Sequence, residues 1–220
     1  MDWPLLGSLA GDERAAVLDA TRRRSFARGE VVFHEADPST SLHLVVSGHL
    51  AVRVSTADGS TALLNVLSAG DTFGELSLLE SAGAPTRSAT VACLDAVETR
   101  VLPAAAFRAL CEEHPAVQGW LSALLAQRVR ELSERVRDLM FVPLDRRVHR
   151  ALLELAEKYD DGRRPTVVPL TQEHLADYVG GTRPSVNQVL QRLVADAVVG
   201  LGRGRVLIED PAALHRLAAG

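Results

Sequence analysis

The period of the apolar residues changes at Pro103, and this change constrains the fold more than any other feature of the chain. Between residues 25 and 103 the apolar residues form short runs separated by turn residues, which is typical of strands in a β-barrel or jelly roll. After Pro103 they recur at intervals of three and four, the period of an amphipathic helix. The sequence therefore predicts a β-rich domain followed by a mainly helical part. The clearest strand-like runs are residues 29–33, 42–46, 50–54 and 62–67.

A long helix is predicted from Pro115 to Met140, with the proline in its first turn, where a missing N–H costs little. Apolar residues follow one side of this helix, and Arg128 interrupts them. The stripe predicts a parallel dimer seam and consists of Leu121, Leu125, Leu132, Val136 and Leu139. Pro143 then breaks the helix, so residues 141–144 are predicted to form a hinge.

The C-terminal part has the pattern of helix, tight turn, helix and hairpin. Residues 170–179 predict the first helix with Thr171 as its N-cap, and Gly180-Gly181 predicts the turn. Thr182 is expected to cap a second helix that ends near Asp196. Residues 198–208 predict a two-stranded wing around a Gly-Arg-Gly turn. This order is typical of a helix-turn-helix unit followed by a β-hairpin.

Two short segments in the β-rich part place one carboxylate, one guanidinium and one hydroxyl on either side of a loop. Residues 73–79 contain Gly74 and Glu75, and residues 85–91 contain Arg87 and Ser88. A carboxylate can accept a hydrogen bond from a ribose 2′-OH, and a guanidinium can bind a phosphate through two parallel N–H donors. The pair predicts a ligand that carries both a sugar hydroxyl and a phosphate.

These segments resemble known families. Phe73-Gly74-Glu75-Leu76 followed by Arg87-Ser88-Ala89-Thr90-Val91 is similar to the phosphate cassette of cyclic-nucleotide-binding domains. Val179 to Val186 resembles the turn and recognition helix of the cAMP receptor protein superfamily. The whole chain is similar, in the expected order, to the Crp/Fnr superfamily of bacterial regulators, and within it to regulators of the actinobacterial cAMP receptor type.

The resemblance implies an α+β fold with an N-terminal double-stranded β-helix, or jelly roll, a long dimerisation helix and a C-terminal winged helix-turn-helix. It implies a homodimeric, allosteric transcription regulator rather than an enzyme. The implied parts are a cyclic-nucleotide-binding domain at residues 1–114, a dimerisation helix at 115–140, a hinge at 141–144 that includes Phe141 and Pro143, and a DNA-binding domain at 145–220.

The implied ligand is cAMP, with cGMP or another cyclic nucleotide as alternatives. The family has Thr-Ser at two positions of the long helix that contact the base, and this chain has Leu132-Ser133. A leucine cannot hydrogen-bond a purine, so we expect loose selection of the base or partial activity without ligand. The residues expected to line the ligand site are Gly74, Glu75, Leu76, Arg87, Ser88, Leu132 and Ser133.

The implied macromolecular partners are double-stranded DNA with a pseudo-palindromic operator and RNA polymerase. Arg183 is expected to contact guanine, and Gln188 adenine or a phosphate. Pro184 stands where the family usually has Glu, so the operator is expected to differ from the family consensus. The residues expected to contact DNA are Thr171, Thr182, Arg183, Ser185, Gln188, Arg192 and Arg203.

Composition narrows the remaining classes of function. With 47% apolar residues, 24% charged residues and a net charge of −4, the chain resembles an ordinary globular protein, which we expect in the cytoplasm. The sequence shows no secretory segment or membrane span. Two cysteines and seven dispersed histidines do not suit an iron–sulfur or other metal sensor. Two alternatives stay open: a ligand-independent or differently liganded regulator, and a nucleotide sensor that acts on a protein partner.

Overall fold

The computed structural model describes residues 3, 6, 7, 9–76 and 85–219. Its contacts divide the chain into two compact units. One unit comprises residues 1–57 and 64–131, and the other comprises residues 58–63 and 132–220. The two units are described separately.

The first unit is a β-sandwich flanked by helices. One sheet has the strand order β1-β8-β3-β6 and the other has the order β2-β7-β4-β5. The elements are α1 Gly11–Asp19, β1 Arg22–Phe26, β2 Val31–Phe33, β3 Ser41–Ser47, β4 Leu50–Ser55, β5 Thr61–Leu67, β6 Thr72–Phe73, β7 Thr90–Cys93, β8 Val97–Pro103, α2 Ala104–Glu113 and α3 Pro115–Phe141.

Strand β3 shows why this part of the sequence lacks a simple alternation of polar and apolar residues. Its residues from Leu42 to Val45 are all buried, because both faces of the sheet are covered. Leu42 and Leu44 pack with the helices, whereas Val45 packs in the core between the sheets. The Trp3 indole also donates a hydrogen bond of 2.9 Å to the Val45 carbonyl.

Helix α3 begins at Pro115, as predicted, and ends one residue beyond the predicted end. Its first turns bury Trp120, Leu121 and Leu124 in the core of the first unit. Leu121 was predicted to lie in the dimer seam, and that placement is wrong because the residue is only 4% exposed within its own unit. The exposed apolar stripe lies further along the helix and consists of Val129, Leu132, Val136 and Leu139.

The second unit contains the predicted winged helix-turn-helix. Its core is formed by fully buried leucines on four helices together with strand residues such as Ile208. A third strand and a C-terminal helix, both missed by the sequence analysis, complete it. The elements are α4 Leu144–Lys158, β9 Thr166–Val168, α5 Gln172–Val179, α6 Arg183–Ala195, β10 Val199–Gly202, β11 Arg205–Ile208 and α7 Pro211–Ala219, with the sheet order β10-β11-β9.

Helix α6 ends in a Schellman motif that has alanine where glycine is favoured. The Ala197 N–H donates to the Val194 carbonyl at 3.0 Å, and the Val198 N–H donates to the Leu193 carbonyl at 2.9 Å. Ala197 adopts φ +56° to make this turn. A left-handed conformation strains any residue that carries a Cβ atom.

Ala197→Gly is therefore expected to raise the free energy of unfolding by about 0.5–1 kcal/mol, because glycine relieves the left-handed strain. Ala195→Gly, at the last residue of α6 and likewise exposed, is the control and should lower it, because glycine loses more backbone freedom on folding than alanine does. Urea denaturation of both variants measures the effect. A destabilised Ala197→Gly protein would contradict the strain argument.

Candidate functional site

Arg87 is a buried cation fixed by its own backbone. It lies three residues before β7 and is only 6% exposed. Its N–H donates to the Asp37 carbonyl at 2.9 Å, and its carbonyl accepts from the Ala36 N–H at 2.8 Å. These two bonds fasten the segment before β7 to the loop between β2 and β3. The side chain therefore starts from a rigid backbone position.

The guanidinium is held on one edge and covered on one face. Nη1 donates to the Ser41 carbonyl at 2.8 Å and to the Gly74 carbonyl at 3.4 Å, and Nη2 donates to Ser41 Oγ at 3.1 Å. The Phe33 ring lies against the group, with its centroid 4.0 Å from Arg87 Cζ. Ser41 thus occupies the edge of the guanidinium that joins its two terminal nitrogens.

The opposite edge of the guanidinium has a donor that is not satisfied by the described residues. Arg87 Nε is buried and donates to no acceptor among the described residues. A guanidinium has five N–H donors, and its Nε–H and one Nη2–H lie side by side on this edge. Burial lowers the pKa of Arg87, while Asp37 and Glu75 oppose the shift. The arrangement presents a poorly solvated cation with a two-donor edge, which suits an oxyanion.

Glu75 lies beside this cation and is 7% exposed. Burial raises the pKa of its carboxyl above the usual range, and backbone hydrogen bonding, Arg128 and Arg87 oppose the shift in that order. Arg128 Nε lies 3.9 Å from Glu75 Oε1. The carboxylate can therefore accept a hydrogen bond from a ligand hydroxyl while a nearby cation balances its charge.

Arg128 is a site residue that the sequence analysis missed. It extends from α3, where its Nη2 donates to the Thr72 carbonyl at 3.1 Å and its Nη1 lies 3.1 Å from Glu131 Oε2. The signal was present in the sequence, because Arg128 is the charged residue that interrupts the apolar stripe. Its place in the site can be recognised only once it is known that α3 passes beside β6.

Gly74 allows the close approach of the cassette to Arg87. It has φ +84°, and a Cβ atom at this position would lie 2.4 Å from Arg87 Nη1 and 2.9 Å from the Ser41 carbonyl oxygen. No other residue fits without moving the guanidinium. The structure therefore brings Gly74, Glu75 and Arg87 together, as the sequence analysis expected.

The other expected ligand residues are less closely grouped. Leu76 is 47% exposed, and Ser88 is exposed beside Arg87. The rest of the first cassette segment, residues 77–79, lies outside the described residues. Leu132 and Ser133 lie on the part of α3 that belongs to the second unit, and both are exposed.

The helix-turn-helix has the predicted caps. Thr171 Oγ1 accepts from the His174 N–H at 3.1 Å at the start of α5, and Thr182 Oγ1 accepts from the Ser185 N–H at 3.3 Å at the start of α6. Gly180 turns the chain with φ +64°, and a Cβ atom there would lie 2.6 Å from Leu139 Cδ2. Both threonine hydroxyls thus have structural roles of their own.

The outer side of α6 is polar and basic. Arg183, Gln188 and Arg192 are exposed, and Arg203 is exposed in the turn of the wing. Ser185 is half-buried, with its hydroxyl 2.9 Å from that of Thr182. The helix contains no acidic residue. On the inner side Val186, Val189, Leu190 and Leu193 are buried, whereas Val194 is 37% exposed.

No group of three potential metal-binding side chains occurs among the described residues. Within the same residues, no helix is long and apolar enough to cross a membrane. Cys93 and Cys111 are free thiols, and burial, followed by Glu30 and Asp95, raises the pKa of Cys93 to about 11.

Comparison with known proteins identifies the class of protein. Residues 23–114 match the family model of the cyclic nucleotide-binding domain. Residues 146–217 match that of the Crp-like helix-turn-helix domain. The first range contains Gly74, Glu75 and Arg87, and the second contains α5 and α6. A cyclic nucleotide-binding domain and a Crp-like helix-turn-helix domain thus follow one another along the chain.

Relatives extend this likeness over almost the whole chain. A CRP-like cAMP-activated global transcriptional regulator of Mycobacterium tuberculosis is 31% identical over 96% of each chain. The cyclic AMP receptor protein of Thermus thermophilus is 33% identical, over 99% of this chain and 97% of the relative. The chain belongs to the Crp/Fnr superfamily of transcription regulators. This confirms the predicted family, and because its relatives are regulators, it confirms that the chain is not an enzyme.

A solved structure supports the fold alone. The c-di-GMP-responsive global regulator CLP of Xanthomonas campestris superposes with a TM-score of 0.76 at 21% identity. The superposition covers 91% of this chain and 99% of that chain. Together with the domain matches it confirms the predicted fold class, an α+β chain with a β-rich sensor domain, a long helix and a C-terminal helix-turn-helix.

Glu75→Gln is expected to stabilise the ligand-free protein near neutral pH, because it removes a buried charge. The pKa of Glu75 is raised by folding, so the charged form opposes folding at high pH and the neutral form does not. The gain in melting temperature should therefore be largest at about pH 8 and should fade as the pH approaches the ordinary glutamate pKa of 4.5.

Thermal unfolding of wild type and variant across this pH range measures the effect. Glu112→Gln on α2 removes one exposed carboxylate and controls for the change in net charge. A constant difference at every pH would contradict the argument that buried charge causes the gain.

Proposed function

We propose that the chain is a homodimeric transcription regulator whose affinity for its operator is controlled by a cyclic nucleotide, and that the nucleotide is cAMP. The observation that carries this proposal is the open Nε edge of the buried Arg87 guanidinium, 6% exposed and beside an equally buried carboxylate. A buried cation with two unpaired N–H donors lowers the stability of the protein unless an anion accepts hydrogen bonds from them.

The charges of the site favour a singly charged ligand with a sugar hydroxyl. Glu75 and Arg128 balance each other at 3.9 Å, which leaves the single positive charge of Arg87. The cyclic phosphate of cAMP carries one negative charge and can accept both donors of the Arg87 edge. Glu75 then accepts the ribose 2′-OH, and Gly74, Leu76 and Ser88 complete the lining. The two relatives, a cAMP-activated regulator and a cyclic AMP receptor protein, support the same nucleotide.

Arg87→Lys is expected to weaken cAMP binding by about 10–100-fold, because an ammonium keeps the charge but cannot form the two-donor edge. Isothermal titration of the purified protein with cAMP measures the change. Arg28→Lys, in an exposed turn, is the matched control and should bind like wild type. Equal affinity of Arg87→Lys and wild type would contradict the proposed phosphate contact.

A second observation supports the homodimer. Val129, Leu132, Val136 and Leu139 are between 46% and 63% exposed and follow one another at intervals of three and four along α3. Such a heptad stripe is buried when two helices pair. We therefore propose residues 1–114 as the sensor domain, 115–140 as the dimerisation helix, 141–144 with Phe141 and Pro143 as the hinge, and 145–220 as the DNA-binding domain.

Leu132 favours a second candidate, in which the regulator is partly active without ligand. The residue lies within the exposed stripe and is 61% exposed. A leucine there strengthens helix pairing by burying its side chain, whereas it cannot hydrogen-bond the base. The dimer would then hold part of its active arrangement before the nucleotide binds, and Ser133 alone would contact the purine edge.

Leu132→Thr is accordingly expected to lower the DNA affinity of the ligand-free dimer. The increase in DNA affinity that cAMP causes is expected to be larger in this variant than in wild type. Titration of labelled operator with and without cAMP measures both quantities, with titrations of cAMP and cGMP beside them. Arg130→Ala, an exposed change off the stripe, is the control. No change in ligand-free DNA binding, cAMP affinity or nucleotide discrimination would eliminate this candidate.

We propose that α6 reads the major groove of a pseudo-palindromic operator. Arg183 and Gln188 lie in its first half, the part that faces base edges in helix-turn-helix proteins. We expect Arg192 and Arg203 to contact phosphates of the DNA. Thr171, Thr182 and Ser185 are expected to lie near the sugar–phosphate backbone of the DNA. Pro184 has no donor or acceptor side chain, which supports an operator unlike the family consensus. The regulator would act in the cytoplasm, with RNA polymerase as a further partner.

Arg183→Ala is expected to cost about 1–3 kcal/mol of binding free energy for a selected operator and to relax selection at one base pair. Arg192→Ala is the comparison. It should weaken binding to specific and to non-specific DNA equally, and it should reduce the dependence of the binding affinity on salt concentration. Fluorescence anisotropy at several salt concentrations measures both. Failure of the wild-type protein to bind any genomic fragment, with or without cAMP, would favour a regulator that acts on a protein partner.

A further inference from the structure

Behind Arg87 lies a line of three polar side chains on one face of a sheet. Ser41 and His43 are two residues apart on β3, and Thr99 lies on the neighbouring strand β8, where it pairs with Val45. Alternate residues of a strand project to the same face. The Ser41 hydroxyl lies 3.4 Å from His43 Nε2, and His43 Nδ1 lies 3.4 Å from Thr99 Oγ1.

His43 is buried among aromatic rings. It is 3% exposed and stacks on Phe73 with ring centroids 4.7 Å apart and an interplanar angle of 20°. Its edge also faces Phe33, the ring that covers Arg87, at 6.0 Å. Burial, followed by the charges of Arg87 and Arg24, lowers the pKa of His43 to about 3. The ring is therefore neutral and has one donor nitrogen and one acceptor nitrogen.

The contacts of Ser41 determine which nitrogen accepts. Ser41 Oγ already accepts a hydrogen bond from Arg87 Nη2 at 3.1 Å. Within the part of the chain that the structure describes, the only other hydrogen-bond partner of this oxygen is His43 Nε2. The hydroxyl hydrogen is satisfied when it is donated to Nε2, and the neutral ring then carries its hydrogen on Nδ1. The ring N–H in turn donates to Thr99 Oγ1.

We propose that Ser41 and His43 are positioning residues for the ligand: Ser41 binds both terminal nitrogens of Arg87, and His43, as the Nδ1–H tautomer, orients the Ser41 hydroxyl. The carbonyl and hydroxyl of Ser41 occupy one edge of the guanidinium, and this leaves the Nε edge for an anion. Because the hydroxyl hydrogen is directed to the imidazole, an oxygen lone pair faces the cation. This inference rests on the proposed function for its effect on cAMP affinity.

A double-mutant cycle distinguishes this chain of hydrogen bonds from a role of Ser41 and His43 in packing alone. Ser41→Ala keeps the carbonyl contact and removes the hydroxyl, and is expected to weaken cAMP binding about tenfold. His43→Phe keeps an aromatic ring on Phe73, removes both nitrogens and is expected to weaken binding about three- to tenfold. The double variant should bind about as weakly as Ser41→Ala alone, because both changes break the same chain. Ser47→Ala, at the exposed end of β3, should bind like wild type.

Nuclear magnetic resonance of the ligand-free protein provides a readout that needs no nucleotide. The protonation of the His43 ring can be measured in wild type, without any variant. Long-range ¹⁵N–¹H spectra of wild type should show His43 protonated on Nδ1 and unprotonated on Nε2. The Arg87 Nε–H signal should be sharp in wild type and in Ser47→Ala, and broadened or shifted in Ser41→Ala and His43→Phe.

The outcomes are distinguishable. A His43 ring protonated on Nε2, an Arg87 signal unchanged in both variants, or fully additive losses of affinity would overturn the inference. If wild type binds no cAMP, the proposed ligand is wrong, and the two spectroscopic results still decide whether Ser41 and His43 position Arg87. If His43→Phe does not fold, the wild-type tautomer and the Ser41→Ala spectrum decide it.

Discussion

The buried guanidinium of Arg87 is the constraint on which the ligand site depends. A cation at 6% exposure must be surrounded by acceptors, because its desolvation is otherwise too costly. The structure supplies the carbonyls of Ser41 and Gly74, the Ser41 hydroxyl and the face of Phe33. These partners lie on three separate strands or loops, so Arg87 connects the cassette to the rest of the β-sandwich. The same partners leave Arg87 Nε without an acceptor among the described residues, and this donor is the basis of the proposed anion contact.

Helix α3 has two parts whose side chains differ in their surroundings. Its first turns bury Trp120 and Leu124 in the core of the first unit, and Arg128 then extends towards Glu75 and the Thr72 carbonyl. Beyond Arg128 the apolar residues are exposed and suit a partner helix. One continuous element therefore contacts the residue proposed to bind the ribose and carries the proposed dimer seam. This continuity provides a physical route by which ligand binding could affect pairing, and Leu132 lies on that route.

The DNA-binding half depends on simpler local chemistry. Two threonine caps and one left-handed glycine define α5, the turn and α6, and each is recognisable from residue type alone. The exposed positions of α6 carry arginine and amide side chains without any acid, so the helix can approach phosphates without repulsion. Each cap accepts a hydrogen bond from one backbone N–H in the first turn of its helix.

The sequence by itself determined the features that depend on local geometry: the strand-rich region before Pro103, the start of α3 at Pro115, the caps of the two DNA-binding helices, and the pairing of Glu75 with Arg87 in a known cassette. The tertiary structure decided the features that depend on distant residues. Arg128, Ser41 and His43 are remote in sequence from Arg87 or Glu75, and only the packing of α3, β3 and β8 brings them to the site. Leu121 illustrates the same limit, since a helical period cannot tell whether an apolar side chain faces its own core or another subunit.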